Sequence, residues 1–434
     1  MNGLFALGLL LTTATQWRFG GLPVGMGELC LIAWLGLMAG SCLLDRRTGI
    51  GFALSRLLWF WGLLAIALSI GTITGLALGE AYDPTWFLHD TLAYPLVALM
   101  SCASVIEPGA HARLHRTAWM FLVLSGVSLT VLLICGIGLL RLPRIDPWFW
   151  DRFRGWAQNP SQLAELCLVA TLVGLYLADI ASRGRDRLIA LLCMIPAIWA
   201  GRITQTDAFS YALALALLVF LAIKLYEWTT TPGSRASLVV LTLFALPVLV
   251  AAAIPAMVAA MSNAPDEVVS VLSKEGGKDA QQEVDLRFSI WQEALARGFH
   301  VGMLGLGPGP HLPIPVEIVA DRAESAIAGQ PDLTHPQQGA APNFEAHNTV
   351  LDLFVQGGLI AALAYVWLMV RCGMTALRSR SAGLLALICG LTLFASASFA
   401  IRMPVFWFPV VLCLLPGREA PVFACQTLAG EQDL

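Results

Sequence analysis

The 434-residue chain is 57% hydrophobic and 13% charged, with a mean hydropathy of +0.73, far from the roughly 25% charged content of a soluble domain. Its formal net charge of -3 carries no argument for a nucleic-acid partner. The long Leu/Ala/Val runs exclude the short alternating strands of an outer-membrane barrel and point to an all-α integral membrane protein.

Apolar runs broken by charge and Pro/Gly clusters predict about 12 transmembrane helices, near 3–16, 22–44, 51–78, 86–106, 117–140, 161–181, 188–201, 208–228, 237–262, 349–370, 382–400 and 404–416. The first lacks a basic leader and an A-x-A site, so it reads as a retained helix. Residues 1–262 then hold nine spans, 263–346 one long periplasmic loop between the ninth and tenth spans, 347–416 the C-terminal spans and 417–434 a cytoplasmic tail. Lys and Arg set the orientation: Arg46, Arg47, Arg113, Arg116, the SRGRDR turn at 182–187, Lys224, Arg235, Arg371, Arg378 and Arg380 share one side if the N-terminus is cytoplasmic. The ten cysteines lie mostly inside apolar runs, with no disulfide or zinc spacing.

The segment 141–160 breaks the charge rule, placing four arginines outside among Trp148, Phe149, Trp150, Phe153 and Trp156. Its aromatics suit headgroup depth, where most of them would pack on lipid, and its arginines suit a phosphate. Arg202 is another outward arginine, either snorkelling or functional. In the long loop, Val284, Phe288, Trp291 and Leu295 recur at helical spacing and predict an amphipathic helix over 280–298, with Arg287 bordering the stripe or paired with Glu283. GLGPGP at 305–310 is a sharp turn that permits close backbone approach but lacks the context of a nucleotide loop, and 311–345 is a proline-rich lid. His347 and Asn348 stand just before the helix that begins at Thr349, where a histidine is a surface group or a catalytic one.

R-F-S-I-W (287–291), G-L-G-P-G (305–309) and E-A-H-N-T-V-L-D-L-F-V-Q-G-G-L (345–359), with R-F-R-G-W-A-Q-N-P (152–160) upstream, resemble the motifs of the O-antigen ligase and O-antigen polymerase superfamily. The resemblance covers about half the chain, from 150 to 400. It implies an enzyme of the bacterial inner membrane, with its site facing the periplasm, that moves a glycan from undecaprenyl diphosphate to an acceptor hydroxyl. The acceptor would be another lipid-linked repeat, for a polymerase of exopolysaccharide or O-antigen, or lipid A core, for a ligase acting in lipopolysaccharide assembly. Membrane lipids and other polysaccharide assembly proteins are the further expected partners; no cofactor and no metal is implied.

By motif, His347 and Arg287 would be catalytic, Arg154, Arg202 and Arg287 would bind the diphosphate, and Asn348 and Trp291 would contact the acceptor or sugar. The family's S-R-G element is replaced here by T-Q-T-D-A, with Asp207 near the expected arginine and Arg202 five residues earlier. That divergence favours a polymerase. Fixed guanidiniums stabilise a departing diphosphate, and an imidazole can take the acceptor's proton near neutral pH. A metal-dependent variant would draw on Asp83, Asp90, Asp285 and Glu345, which form no D-x-D pair. A lipid-linked glycan transporter or flippase is the alternative from another class; it would place polar groups along the spans, whereas here they cluster in one loop.

Overall fold

The computed structural model describes residues 1–18, 24–44, 51–80, 82, 84–106, 109–149, 152–230, 280–313 and 345–415. These carry twelve α-helices: α1 (Asn2–Leu11), α2 (Met26–Leu44), α3 (Phe52–Leu78), α4 (Pro84–Ser104), α5 (Ala110–Gly136), α6 (Pro160–Ile180), α7 (Gly184–Ile203), α8 (Asp207–Thr230), α9 (Ala280–His300), α10 (Thr349–Arg378), α11 (Ala382–Ala395) and α12 (Pro404–Leu414). Six of them, α2, α3, α5, α6, α8 and α10, are long and apolar enough to cross a membrane, whereas α1, α11 and α12 have only 10–17 residues. The chain is a multi-pass membrane protein. The ninth predicted span, the start of the long loop, most of the lid, Trp150, Arg235 and the tail lie outside the described residues.

The helix α12, PVFWFPVVLCL, has every residue buried, as a helix that is apolar all round must. It packs against α1, α4, α6, α10 and α11. Trp407 lies 4.5 Å from Trp61 in a tilted arrangement and donates its indole N–H to the Ile401 carbonyl at 2.7 Å, so its buried donor is met. Around this post, α6 pairs with α7, α8 with α11, and α3 with α10. At one end of the bundle Lys224 meets Asp179 at 2.6 Å and Arg56 donates to Thr375 at 2.9 Å, which brings together segments that the charge pattern assigns to one side.

The predicted helix at 349–370 is longer and broken. Within α10, Gly358 has φ 66° and ψ -162°, a conformation open essentially to glycine alone. The break frees backbone groups that water cannot reach, and the glycine-rich turn supplies their partners. Leu306 N donates to Val355 O at 2.9 Å, Gly307 N to Gln356 O at 2.7 Å, and Leu359 N to Met303 O at 3.0 Å. The turn also lies on α3, where a Cβ on Gly71 would stand 2.3 Å from the Gln356 carbonyl and 2.7 Å from Gly307 N. Three stretches of backbone therefore meet where side chains are missing.

Packing in two of the predicted segments is set by tertiary contacts. In α9 the buried residues are Ile290, Ala294 and Gly298, while Phe288 and Leu295 are exposed. The face packed against α10 is the one with small residues, because Phe354 lies where a Cβ on Gly298 would be, 2.2 Å away. The upstream aromatics are also not all lipid-facing. Phe153 and Trp156 are buried in protein, and Trp156 donates to Thr13 Oγ1 at 3.2 Å.

Gly358→Ala should lower the stability of the detergent-solubilised protein by about 3 kcal/mol or more, since it adds a disfavoured φ to a Cβ placed 2.1 Å from the Met303 carbonyl oxygen. Gly373→Ala, with nothing within 4 Å, should leave the melting temperature in scanning fluorimetry unchanged or slightly raised.

Candidate functional site

The turn that carries His347 is built by the first residues of α10. Asn348 caps the helix, its Oδ1 accepting from Val350 N at 3.1 Å and Leu351 N at 3.3 Å. One turn further on, the buried Asp352 carboxylate reaches back and accepts from Ala346 N at 2.7 Å and Asn348 N at 3.1 Å. This Asn-x-x-x-Asp arrangement, one residue longer than a capping box, satisfies orphan amides reciprocally. His347, between the two clamped amides, is held at φ 51°, a left-handed conformation uncommon for a non-glycine residue and found often at functional positions. Trp291 of α9 closes the turn from the other side, its indole N–H donating to Ala346 O at 3.1 Å. Thr349 ties it to the start of the 398–402 connection by donating to Ser398 O at 2.7 Å and accepting from Ala400 N at 3.1 Å.

That connection delivers Arg402, which sequence reasoning missed. Its guanidinium spans two carboxylates, with Nη1 at 2.7 Å from Asp90 Oδ1 of α4 and Nη2 at 2.6 Å from Glu345 Oε1, and it lies 4.6 Å over the Phe399 ring. Burial opposes the charge, but Asp90 and Glu345 more than offset it and raise the pKa above the ordinary guanidinium value. His89 Nδ1 is 3.0 Å from the same Asp90 oxygen. The available signal was a single arginine stranded between two apolar helices, SFAIRMPVFW, which is a functional-site hypothesis by default.

His347 is exposed to solvent, and the dense protein around it still produces a net desolvation. That desolvation lowers its pKa below the usual 6.5; Glu345 raises it, and Arg287 and Arg402 lower it further. The structure thus gathers Arg287, Arg402, Glu345 and His347 into one electrostatic neighbourhood. Arg18, after the short 3₁₀ turn Thr15–Trp17, belongs to it as well. Burial lowers its pKa, Glu28 opposes, and Arg402 lowers it again.

Arg154 and Arg202 have other immediate partners. Arg154 is buried, with Nη2 at 2.7 Å from Asp146 Oδ2, Nε at 3.1 Å from Asp146 O, and its guanidinium 5.3 Å over Phe149. Arg202 donates to Ser210 at 2.6 Å. Between them, Arg152 donates to the Thr204 and Gln205 carbonyls, both at 3.2 Å, so the 152–160 motif and the 201–207 turn are neighbours. Gln16 holds the same motif through the Gly155 and Ala157 carbonyls at 3.2 and 2.7 Å, two residues before Arg18. Residues 15–18 therefore connect the Arg154 region to Arg402. Within the motif, Asn159 caps α6 by accepting from Ser161 N at 2.9 Å.

Residues 189–366 match the family model described as O-Antigen ligase. The matched segment is less than half of the chain. It contains Arg202, Arg287, the glycine-rich turn, His347, Asp352 and the break in α10; Arg18, Asp90, Arg154 and Arg402 lie outside it. A search of curated proteins returns no match.

Asn348→Ala should cost about 1 kcal/mol of stability through the lost cap. Asn348→Ser and Asn348→Asp should recover both stability and activity if capping is the role of the side chain; a variant that regains its melting temperature but stays inactive would instead assign Asn348 a substrate contact.

Proposed function

We propose that this protein is a membrane-embedded glycosyltransferase that moves a glycan from undecaprenyl diphosphate to an acceptor hydroxyl on the periplasmic face, with His347 as general base and Arg287 on the departing diphosphate. The observation that carries this is the clamped turn: Asp352 fixes the backbone on either side of His347, whose imidazole has a lowered pKa and lies in the field of Arg287 and Arg402. A neutral imidazole takes the proton from the acceptor O–H, the hydroxyl oxygen bonds to the anomeric carbon, and the carbon–oxygen bond to phosphate breaks with its electron pair leaving on the diphosphate. One such displacement inverts the anomeric centre. Guanidiniums placed in advance stabilise the charge that develops on the leaving group more than the ground state.

Arg154 and Arg202 join the diphosphate site by sharing their present partners, Asp146 and Ser210. Trp291 and Asn348 sit beside the base and are offered as its acceptor-side wall. The chemistry proposed draws on protein side chains alone. Polymerisation of exopolysaccharide or O-antigen repeats is the preferred reaction, on the strength of the T-Q-T-D-A departure at 204–208. Joining of polymer to lipid A core is the second reading, favoured by the description of the matched family.

His347→Ala should abolish transfer while leaving expression, insertion and melting temperature intact. Surface glycan profiles of a deletion strain complemented with wild type or variant decide the reaction. Single repeats that still reach the acceptor mean a polymerase; full-length polymer stranded on the lipid carrier means a ligase. Normal glycans from the variant would overturn the assignment of the base. A base must be neutral to work, so activity should rise with pH through a midpoint below 6.5. Arg287→Gln should lower turnover about 100-fold or more, as loss of one transition-state donor does elsewhere.

A further inference from the structure

We infer that Arg402, gripped by Asp90 and Glu345, is a positioning residue that sets the place and the charge environment of His347 from outside the matched segment. This rests on His347 being the base, and goes beyond it by naming the device that holds that base.

Three independent segments converge on one guanidinium: α4 through Asp90, the end of the long loop through Glu345, and the head of the central helix α12 through Arg402 itself. Asp90 is 0% exposed and Arg402 has an 11% exposed side chain, so the pairing is shielded from the water and salt that make surface ion pairs weak. Removing one partner of a buried pair leaves the other charge uncompensated, and the planar fork of arginine can serve two carboxylates at once where an ammonium cannot match it.

The grip reaches His347 by two routes. Glu345 is two residues before it, and Arg402 is two residues after Ala400, whose amide bonds Thr349 at 3.1 Å. Arg402 therefore fastens both strands of chain that bracket the imidazole turn. Asp352 shapes that turn locally, and Arg402 ties it to α4 and to the connection that leads into α12.

A second ion pair fastens the other end of the same region, with Arg297 Nη2 at 2.7 Å from both oxygens of Glu80. It lies beside the start of the glycine-rich turn, away from His347. It serves as a control: a clasp of similar chemistry built on Glu80 instead of Glu345.

Among the described residues, Glu345, Arg287 and Arg402 act on the charge of His347, with Asp352 bonded to the amides on either side. Removing Arg402 takes away a cation that disfavours the imidazolium and uncovers Glu345, so the pKa of His347 should rise. Glu345→Gln keeps an oxygen for Arg402 to donate to but removes the carboxylate charge, so the pKa should fall. A scaffold role alone would not move the two variants in opposite directions.

The test uses the full-length protein in detergent and reads His347 directly, by mass-spectrometric quantification of its carbethoxylation by diethylpyrocarbonate against pH. The midpoint should move up in Arg402→Gln, down in Glu345→Gln, and stay near wild type in Arg402→Lys and Arg297→Gln. Should Arg402→Gln fail to fold, the Glu345→Gln and Arg402→Lys arms still decide. Turnover is measured with lipid-linked oligosaccharide extracted from cells lacking the protein. Arg402→Lys should lower kcat about 10- to 100-fold, the cost of a displacement on the order of 1 Å at a reacting group, with KM for the donor unchanged. Unshifted midpoints in Glu345→Gln and Arg402→Gln, or full turnover by Arg402→Lys, would overturn the proposal. Shifted midpoints in a protein whose His347→Ala variant remains fully active would instead overturn His347 as the base and leave the charge network standing.

Discussion

A broken helix inside an apolar bundle must have its freed backbone groups satisfied by protein, because an unmet N–H or C=O there costs several kcal/mol. In this chain that requirement is met at Gly358, where residues 303–307 fill the gap in α10 with three main-chain hydrogen bonds. The consequence is that the long loop is attached to the membrane helices through its backbone, independent of any side chain. The half of α10 before the break then projects His347 at the polar end of the bundle, and the half after it, with the α3 pairing, continues as a span.

The electrostatics follow from the same layout. Carboxylates at this end are matched to cations from distant segments: Glu80 with Arg297, and Asp90 and Glu345 with Arg402. Such pairs contribute less to net stability than their geometry suggests, since desolvation of both ions opposes the attraction. Their value lies in specificity: each joins elements far apart in sequence at a single point. The surroundings of His347 combine desolvation, which disfavours the imidazolium, with a nearby carboxylate that favours it, the balance needed to keep a histidine neutral yet basic near pH 7.

Several roles that the motifs suggest are split between structure and chemistry. Asn159 and Asn348, both in family-like motifs, are helix caps. The Trp291 indole secures the carbonyl of Ala346, which precedes the histidine. Arg154 locks a loop whose aromatics, Phe153 and Trp156, are core residues. A motif can thus persist because it builds the local backbone, and its most chemical-looking member need not be the one nearest the reaction.

Composition and hydropathy alone determined that the protein is helical and membrane-embedded, because covering apolar segments of this length leaves few other folds. The motif order placed His347 and Arg287 in one region, and helical periodicity located α9, because both are local properties of the chain. The buried face of α9 was not legible: Ile290, Ala294 and Gly298 are buried because Phe354, sixty residues away in sequence, needs the space of a missing side chain. The break in α10 was equally hidden, since two adjacent glycines in an apolar run also suit an unbroken span. Arg402 was visible as a lone charge between apolar helices, but its partners Asp90 and Glu345 are 312 and 57 residues away. Pairing over such separations depends on how helices stack around α12, and that is decided only when the whole chain has packed.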